Sequence, residues 1–421
     1  MRNIKYANEV RREDENKVFI DAIKARKILN SRGVSTIEVS LETNLGIFRA
    51  SVPSGTSKGK HEAVEIKAAK AVKNVNQIIA PKLIGKDPTR QKEIDEIMIK
   101  LDGTKNKSKL GANAILAVSI AVLRAGAKAK NLSLWQYISK IVKIKPRLPR
   151  PSILFIEGGL HRPSFRVAKA KVKKRTQFSS HKSGLDFQEF MVIPEKKTFL
   201  MSFQLGKKIY YNFKKILRKN FGEQGIKMGY EGGFAPPISN NKEALDFIME
   251  AATGKDVRIG LDCAASQIRK GKYDVDFYQD LVKKYPIIFL EDPFKEDDWG
   301  SFQEITKKLG GKIDILGDDL LTTNTERMKK AEDKKACSGT IIKPNQIGTI
   351  TETLKAVKLA KSYGWKIMVS HRSGETCDDF ISDFAVGIGA DFIKAGAPAR
   401  RERMAKYNRL LEIEENLYKN N

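Results

Sequence analysis

Cysteine is scarce. Cys263, Cys337 and Cys377 are the only three in 421 residues and show no paired spacing, which speaks against a disulfide framework or a thiolate zinc site. Long hydrophobic stretches are lacking as well: no apolar run approaches the roughly 18 residues of a membrane span, so no spanning segment is expected. The first residues, Met1-Arg2-Asn3-Ile4-Lys5-Tyr6, have no apolar signal core, and Arg11-Arg12-Glu13-Asp14-Glu15 mixes signs. Secretory and transit leaders are disfavoured and a cytoplasmic location is expected. Acidic residues are in deficit, fifty against 78 Lys and Arg, for a formal net charge of +28. That balance favours anionic partners at low salt, nucleic acid or a phosphorylated metabolite. Most of the excess is lysine spread along the whole chain, which resembles a compositional bias more than a binding surface. A nucleic-acid partner is therefore not expected.

What is present fits a folded enzyme. The hydrophobic fraction is 41%, enough for a core, and the length suits two domains, one of them a large barrel. Residues 1–17 read as a polar extension. Ile37 to Thr43 alternates apolar and polar residues, and Ile47 to Val52 follows after Asn44-Leu45-Gly46, which predicts a hairpin. A loop rich in Gly and Ser, Pro53 to Lys60, comes next. From Ala68 to Ile141 the apolar period turns helical, with Ala112 to Lys130 rich in Ala and Leu. Residues 18–150 thus form an expected α+β domain, closed by a Pro-rich linker at 146–151. Residues 151–421 form the second domain. It is interrupted at 162–182, where eight Lys and Arg meet no acid, so a solvated insertion is expected and an anion-binding arm is the alternative.

Within the second domain, six short apolar runs each stop at a polar or charged residue: Asp262, Glu291, Asp318, Lys343, His371 and Lys394. The stops lie 23 to 29 residues apart, the length of a strand, a loop, a helix and the return, so repeated βα units are predicted. In a closed βα barrel the residues at strand ends share one rim. Three carboxylates, two lysines and a histidine would converge there, an arrangement that folding alone does not require.

The chain resembles the enolase family from about Phe19 to Leu417. The resemblance rests on Asn30-Ser31-Arg32-Gly33, Pro53-Ser54-Gly55-Thr56-Ser57, Leu101-Asp102-Gly103-Thr104, Asp186-Phe187-Gln188-Glu189-Phe190-Met191 and Glu231-Gly232-Gly233-Phe234-Ala235-Pro236. It continues through Glu291-Asp292-Pro293-Phe294, Asn345-Gln346-Ile347-Gly348-Thr349, Ser370-His371-Arg372-Ser373-Gly374-Glu375 and Lys394-Ala395-Gly396-Ala397-Pro398. It implies an N-terminal α+β capping domain followed by an eight-stranded α/β (TIM-like) barrel. The implied activity is reversible dehydration of 2-phosphoglycerate to phosphoenolpyruvate with two Mg²⁺ per site, a glycolytic lyase. Asp262, Glu291 and Asp318 match the metal ligands, hard oxygens from successive strand ends, and Ser57 matches a lid residue that closes onto the second ion. Lys343 matches the base and Glu231 the acid, with Glu189 its neighbour in the proton network. His371, Arg372 and Ser373 resemble the phosphate corner. Lys394 resembles the lysine that meets the substrate carboxylate, and Gln188, Glu189, Glu291 and Asp318 complete the substrate contacts.

Several positions depart from the family. Glu157-Gly158-Gly159-Leu160-His161 stands where Asn-Gly-Gly-Ser-His is usual. The loop histidine normally lies nine residues before the glutamate matching Glu189. His161 keeps the Gly-Gly context, whereas His181 is nearer the expected spacing; the motif favours His161 and His181 stays open. Tyr230 replaces an Asp beside Glu231, and Asn30, Lys58, Pro344 and Ala395 are further changes. The family pairs across a homodimer through a glutamate matching Glu38 and an Arg, but Glu412 stands at the Arg position, which weakens the expected dimer. An active enzyme is expected, slowed by these loop changes; the rival is a catalytically weakened relative that binds polyanions through residues 162–182.

Overall fold

The chain was analysed as a computed structural model that describes residues 17–56, 58–161, 185–238, 240–268 and 271–419. Ser57, His181 and the basic stretch 162–182 lie outside the described residues.

The N-terminal domain is a three-stranded antiparallel sheet, β1 (Ala22–Leu29), β2 (Ser35–Thr43) and β3 (Gly46–Ser51), backed by helices. The hairpin read from alternation is present, with Thr43 opposite Gly46. β1 was not foreseen because Lys24, Arg26 and Lys27 mask its pattern, although Ile23 and Ala25 face the core. Helix Ala112–Ala129 corrects the expectation that no run is long enough for a membrane. By length and composition it qualifies, yet 83% of it is buried and it packs on β2 and β3 as a core helix.

Eight strands close the barrel in the order β10-β11-β4-β5-β6-β7-β8-β9. They are β4 (Arg150–Glu157), β5 (Glu189–Pro194), β6 (Val257–Asp262), β7 (Ile287–Glu291), β8 (Asp314–Gly317), β9 (Gly339–Ile342), β10 (Lys366–Ser370) and β11 (Phe392–Lys394). β4 takes up Arg150 and Pro151, so the expected linker ends two residues earlier. The simple βα repeat holds only from β6 onward. β5 runs antiparallel to both neighbours, and two helices, Phe199–Gly225 and Asn241–Ala251, separate it from β6. Inside the barrel the absence of a side chain at Gly260 makes room for the Phe289 ring, which a Cβ would approach to 2.0 Å.

Buried polar bonds seat the capping domain on the barrel. Asp95 accepts from the Thr351 backbone N–H (2.9 Å) and hydroxyl (2.6 Å) across the junction. Arg124 donates through both terminal nitrogens to Asp378, each at 2.8 Å, and Asp378 also accepts from the Ser51 N–H at 2.9 Å. This seating brings the loop after β3 over the barrel rim. Burial would raise the Asp378 carboxyl, but Arg124 outweighs it and the net direction is down. The stabilisation is therefore fully present above the ordinary Asp range near pH ~3.9 and is lost as pH falls through the depressed value. Replacing Arg124 by Met should cost about 1–3 kcal/mol by removing two charge-assisted hydrogen bonds from the half-buried Asp378, read as a lower urea midpoint; an unchanged midpoint would show that the pair does not hold the domains together.

Candidate active site

Strand ends place the charged residues on one rim. Asp262 and Glu291 end β6 and β7, Lys394 ends β11, and Asp318, Lys343 and His371 each follow a strand directly. Glu189 begins β5, but that strand is reversed, so its first residue reaches the same rim. Sheet register then sets four acids side by side: Glu157 pairs with Glu189, Glu189 with Asp262, and Asp262 with Glu291. Glu231 arrives from the loop after helix Phe199–Gly225. All of these are buried.

Two ammonium groups meet four of the carboxylates. Lys394 Nζ lies 2.7 Å from Glu291, 3.1 Å from Asp262 and 3.3 Å from Glu189. Lys343 pairs with Asp318, whose other oxygen accepts from Gln346 at 2.8 Å; Gln188 donates to Asp262 at 3.2 Å. Negative charge is left in excess. Burial and then Asp262 push Glu291 well above the usual carboxylate range, and its Oε1 has no hydrogen-bond partner. A buried oxygen-donor set short of positive charge fits a hard divalent cation such as Mg²⁺.

Asp262, Glu291 and Asp318 do not form one tight cluster. The first two meet through Lys394 and the third through Lys343. Among the described residues, the sets whose donor atoms lie within 4.8 Å of one another are His161–Glu189–Glu231 and Asp292–Asp318–Asp319. Asp292 is already engaged, accepting from the backbone N–H groups of Asp318 (2.9 Å) and Asp319 (2.6 Å), and so shapes the loop that presents Asp318.

The proton network centres on Glu231. His371 Nε2 lies 3.0 Å from one of its oxygens and His161 Nδ1 lies 3.2 Å from the other; His161 Nδ1 is also 3.5 Å from Glu189. Arg403 Nη1 lies 2.6 Å from His371 Nδ1. A guanidinium can only donate, so Nδ1 carries the lone pair and the ring proton sits on Nε2, facing Glu231. Burial and the adjacent Arg403, outweighing Glu231, lower His371 to about 4. Burial drives Glu189 well above the usual range despite Lys394. Glu231 goes well below it, because His371 and His161 outweigh its burial.

Arg372 and Ser373 lie under the capping-domain loop. Ser373 Oγ accepts from the Thr56 N–H at 2.8 Å, and Ser54 and Gly374 exchange backbone bonds of 2.9 Å. Gly374 allows that approach, since a Cβ there would meet Ser54 O at 2.8 Å. Arg372 is held by both oxygens of Glu62, at 3.0 and 3.2 Å. His161, Gln188, Glu189, Glu231, Lys343, His371, Arg372, Ser373 and Lys394 line one small cavity together with Gly55 and Ser370.

Sequence reasoning missed Glu62 and Arg403. Arg403 is fully buried but sits in the charged run Arg400-Arg401-Glu402-Arg403, which reads as a solvated helix face. The cysteines take no part: Cys263 and Cys337 are buried, with burial pushing both thiols up.

Comparison with known proteins gives concordant matches. The family described as "Enolase, N-terminal domain" matches residues 20–138, and "Enolase, C-terminal TIM barrel domain" matches 178–277 and 271–421. Enolase B of Dictyostelium discoideum is 44% identical over 441 aligned positions, covering 95% of each chain. Enolase of Mastigamoeba balamuthi is 43% identical over 440, covering 94% of this chain and 96% of its own.

The tautomer assignment is open to direct measurement. ¹⁵N spectra should show His371 as the neutral Nε2–H form at pH 7, protonating only as pH falls through about 4; a titration near the ordinary His value of ~6.5 would contradict the Arg403 contact.

Proposed function

The chain belongs to the enolase family, and we infer that it is a phosphopyruvate hydratase, the glycolytic lyase that reversibly removes water from 2-phosphoglycerate to give phosphoenolpyruvate. The observation that carries this is the buried rim itself, where Glu189, Glu231, Lys343, His371, Arg372 and Lys394 face one small cavity.

The reaction breaks a weakly acidic C–H bond next to a carboxylate and then a C–O bond. Asp262, Glu291 and Asp318, with Ser57, would hold two Mg²⁺, which supply Lewis-acid stabilisation of the charge that develops on the substrate carboxylate. Lys394, fixed between three carboxylates, is placed to orient that carboxylate and offset its charge. Lys343 is the proton acceptor. Burial lowers its affinity for a proton, but Asp318 outweighs this in the ligand-free site and the net direction is up. Lys343 becomes a base when the Asp318 charge is engaged elsewhere. The pair of electrons from the C–H bond forms the new double bond as the hydroxyl leaves with a proton. Glu231 delivers that proton, resupplied from Glu189 across His161, which lies between them. Arg372 and Ser373 face the phosphate, with Gln188 and His371 completing the substrate contacts.

The assembly that matches this reading is a homodimer in the cytoplasm. Glu412 weakens it less than its charge suggests, because Arg409 lies 3.0 Å away on the same helix, and Glu38 is likewise met by Arg26 at 2.7 Å. The rival polyanion-binding reading rests on residues 162–182, and no feature of the described residues favours it.

Purified protein given 2-phosphoglycerate and Mg²⁺ should produce the absorbance of phosphoenolpyruvate, and chelation should abolish it. No gain in a preparation that still binds a substrate analogue would sink the reading. Lys343→Ala should lower kcat by about 10²–10⁴-fold while analogue binding persists; near-normal turnover would remove Lys343 from the role of base.

A further inference from the structure

Glu157 is a buried rim carboxylate that the mechanism above does not use. It ends β4 and is 1% exposed. Its Oε1 accepts from the backbone N–H of Glu231 at 2.9 Å and of Gly233 at 2.7 Å, and its Oε2 lies 3.1 Å from the same Glu231 nitrogen. The backbone of β4 grips the same turn, with Glu157 N–H donating to Phe234 O and Phe234 N–H to Phe155 O, both at 2.8 Å. The turn closes around the carboxyl group: a Cβ at Gly229 would fall 2.2 Å from Glu157 Oε2. Among the described residues no Lys or Arg forms an ion pair with Glu157, so backbone donors of the Glu231 turn are its direct partners.

Beside Glu231 in sequence, the Tyr230 ring receives the Arg32 guanidinium, 5.0 Å from its centroid. The carboxyl group that meets the Glu231 backbone is that of Glu157.

We propose that Glu157 is a positioning residue for Glu231: by binding the N–H groups of Glu231 and Gly233 it fixes the height and direction at which the acid enters the cavity. The role rests on Glu231 being the proton donor. It requires no contact with substrate, and Glu157 makes none of the bonds that hold Arg372, Ser373 or Lys394. Loss of the clamp should therefore act on the chemical step and spare binding.

Two variants test this. Glu157→Gln keeps one oxygen that can accept both N–H groups and should lower kcat by less than about tenfold. Glu157→Ala removes the clamp and should lower kcat by about 100-fold, the effect of a small misplacement of a reacting group, with KM within about threefold of the parent. Circular dichroism and analogue binding establish that each variant is folded. Parental kcat in folded Glu157→Ala overturns the proposal, and so does a parallel loss of kcat and substrate binding, which would make Glu157 a general support of the cavity. Absence of turnover in the unmodified chain would instead overturn the functional reading.

Discussion

The ammonium group of Lys394 is the contact on which the rim depends. Three carboxylates from three different strands, Glu189, Asp262 and Glu291, approach one nitrogen within 3.3 Å. Like charges at such separations inside a barrel would repel strongly, and sheet register leaves them no freedom to move apart. A buried cation is what allows the three strands to end in acids at all. The site nonetheless stays short of positive charge, because one ammonium group faces three acids. The same constraint that threatens the fold thus prepares it for hard cations.

Around that centre the protein separates two kinds of charge. On one side, Asp262, Glu291 and Asp318 are held by lysines and glutamines that leave oxygens available. On the other, Glu231, Glu189 and two imidazoles form a proton network in which each partner sets the protonation of the next. Arg403 is decisive there. By donating to His371 Nδ1 it directs the ring proton toward Glu231, and by donating to the carbonyls of Arg372 (2.8 Å) and Ser373 (2.7 Å) it ties this network to the Arg372–Ser373 turn. One buried guanidinium thus holds both halves of the rim together.

The capping domain contributes as much as the barrel. The bonds of Arg124 and Asp95 across the junction hold the N-terminal sheet where its following loop covers Ser373 and presents Glu62 to Arg372. Arg372 is then pre-oriented by a bidentate carboxylate, which limits the side-chain entropy it would lose on meeting a ligand. The family resemblance breaks both in this covering layer, at Asn30 and Lys58, and on the barrel, at Glu157, Tyr230, Pro344 and Ala395, while Asp262, Glu291, Asp318, Lys343, His371 and Lys394 stand at the rim.

Much of this was legible in the sequence, for a local reason. Apolar runs with a period of two and charged residues at their ends are properties of consecutive residues, so Asp262, Glu291, Asp318, Lys343, His371 and Lys394 could be assigned to strand ends from β6 onward. The hairpin of β2 and β3 and the buried face of helix Ala112–Ala129 were readable in the same way. Tertiary structure alone decided the rest. The reversal of β5, which brings Glu189 to the rim, depends on pairing between strands far apart in the chain. The partnership of Lys394 with three acids, the approach of His161 to Glu231 and the tautomer of His371 depend on distance and burial. Arg403 and Glu62 sit in charged runs that look solvated, and only their neighbours in space reveal that they are buried. Sequence determined which groups stand at the rim, because strand periodicity is local; folding determined which of them meet and which keep a proton, because electrostatics is not.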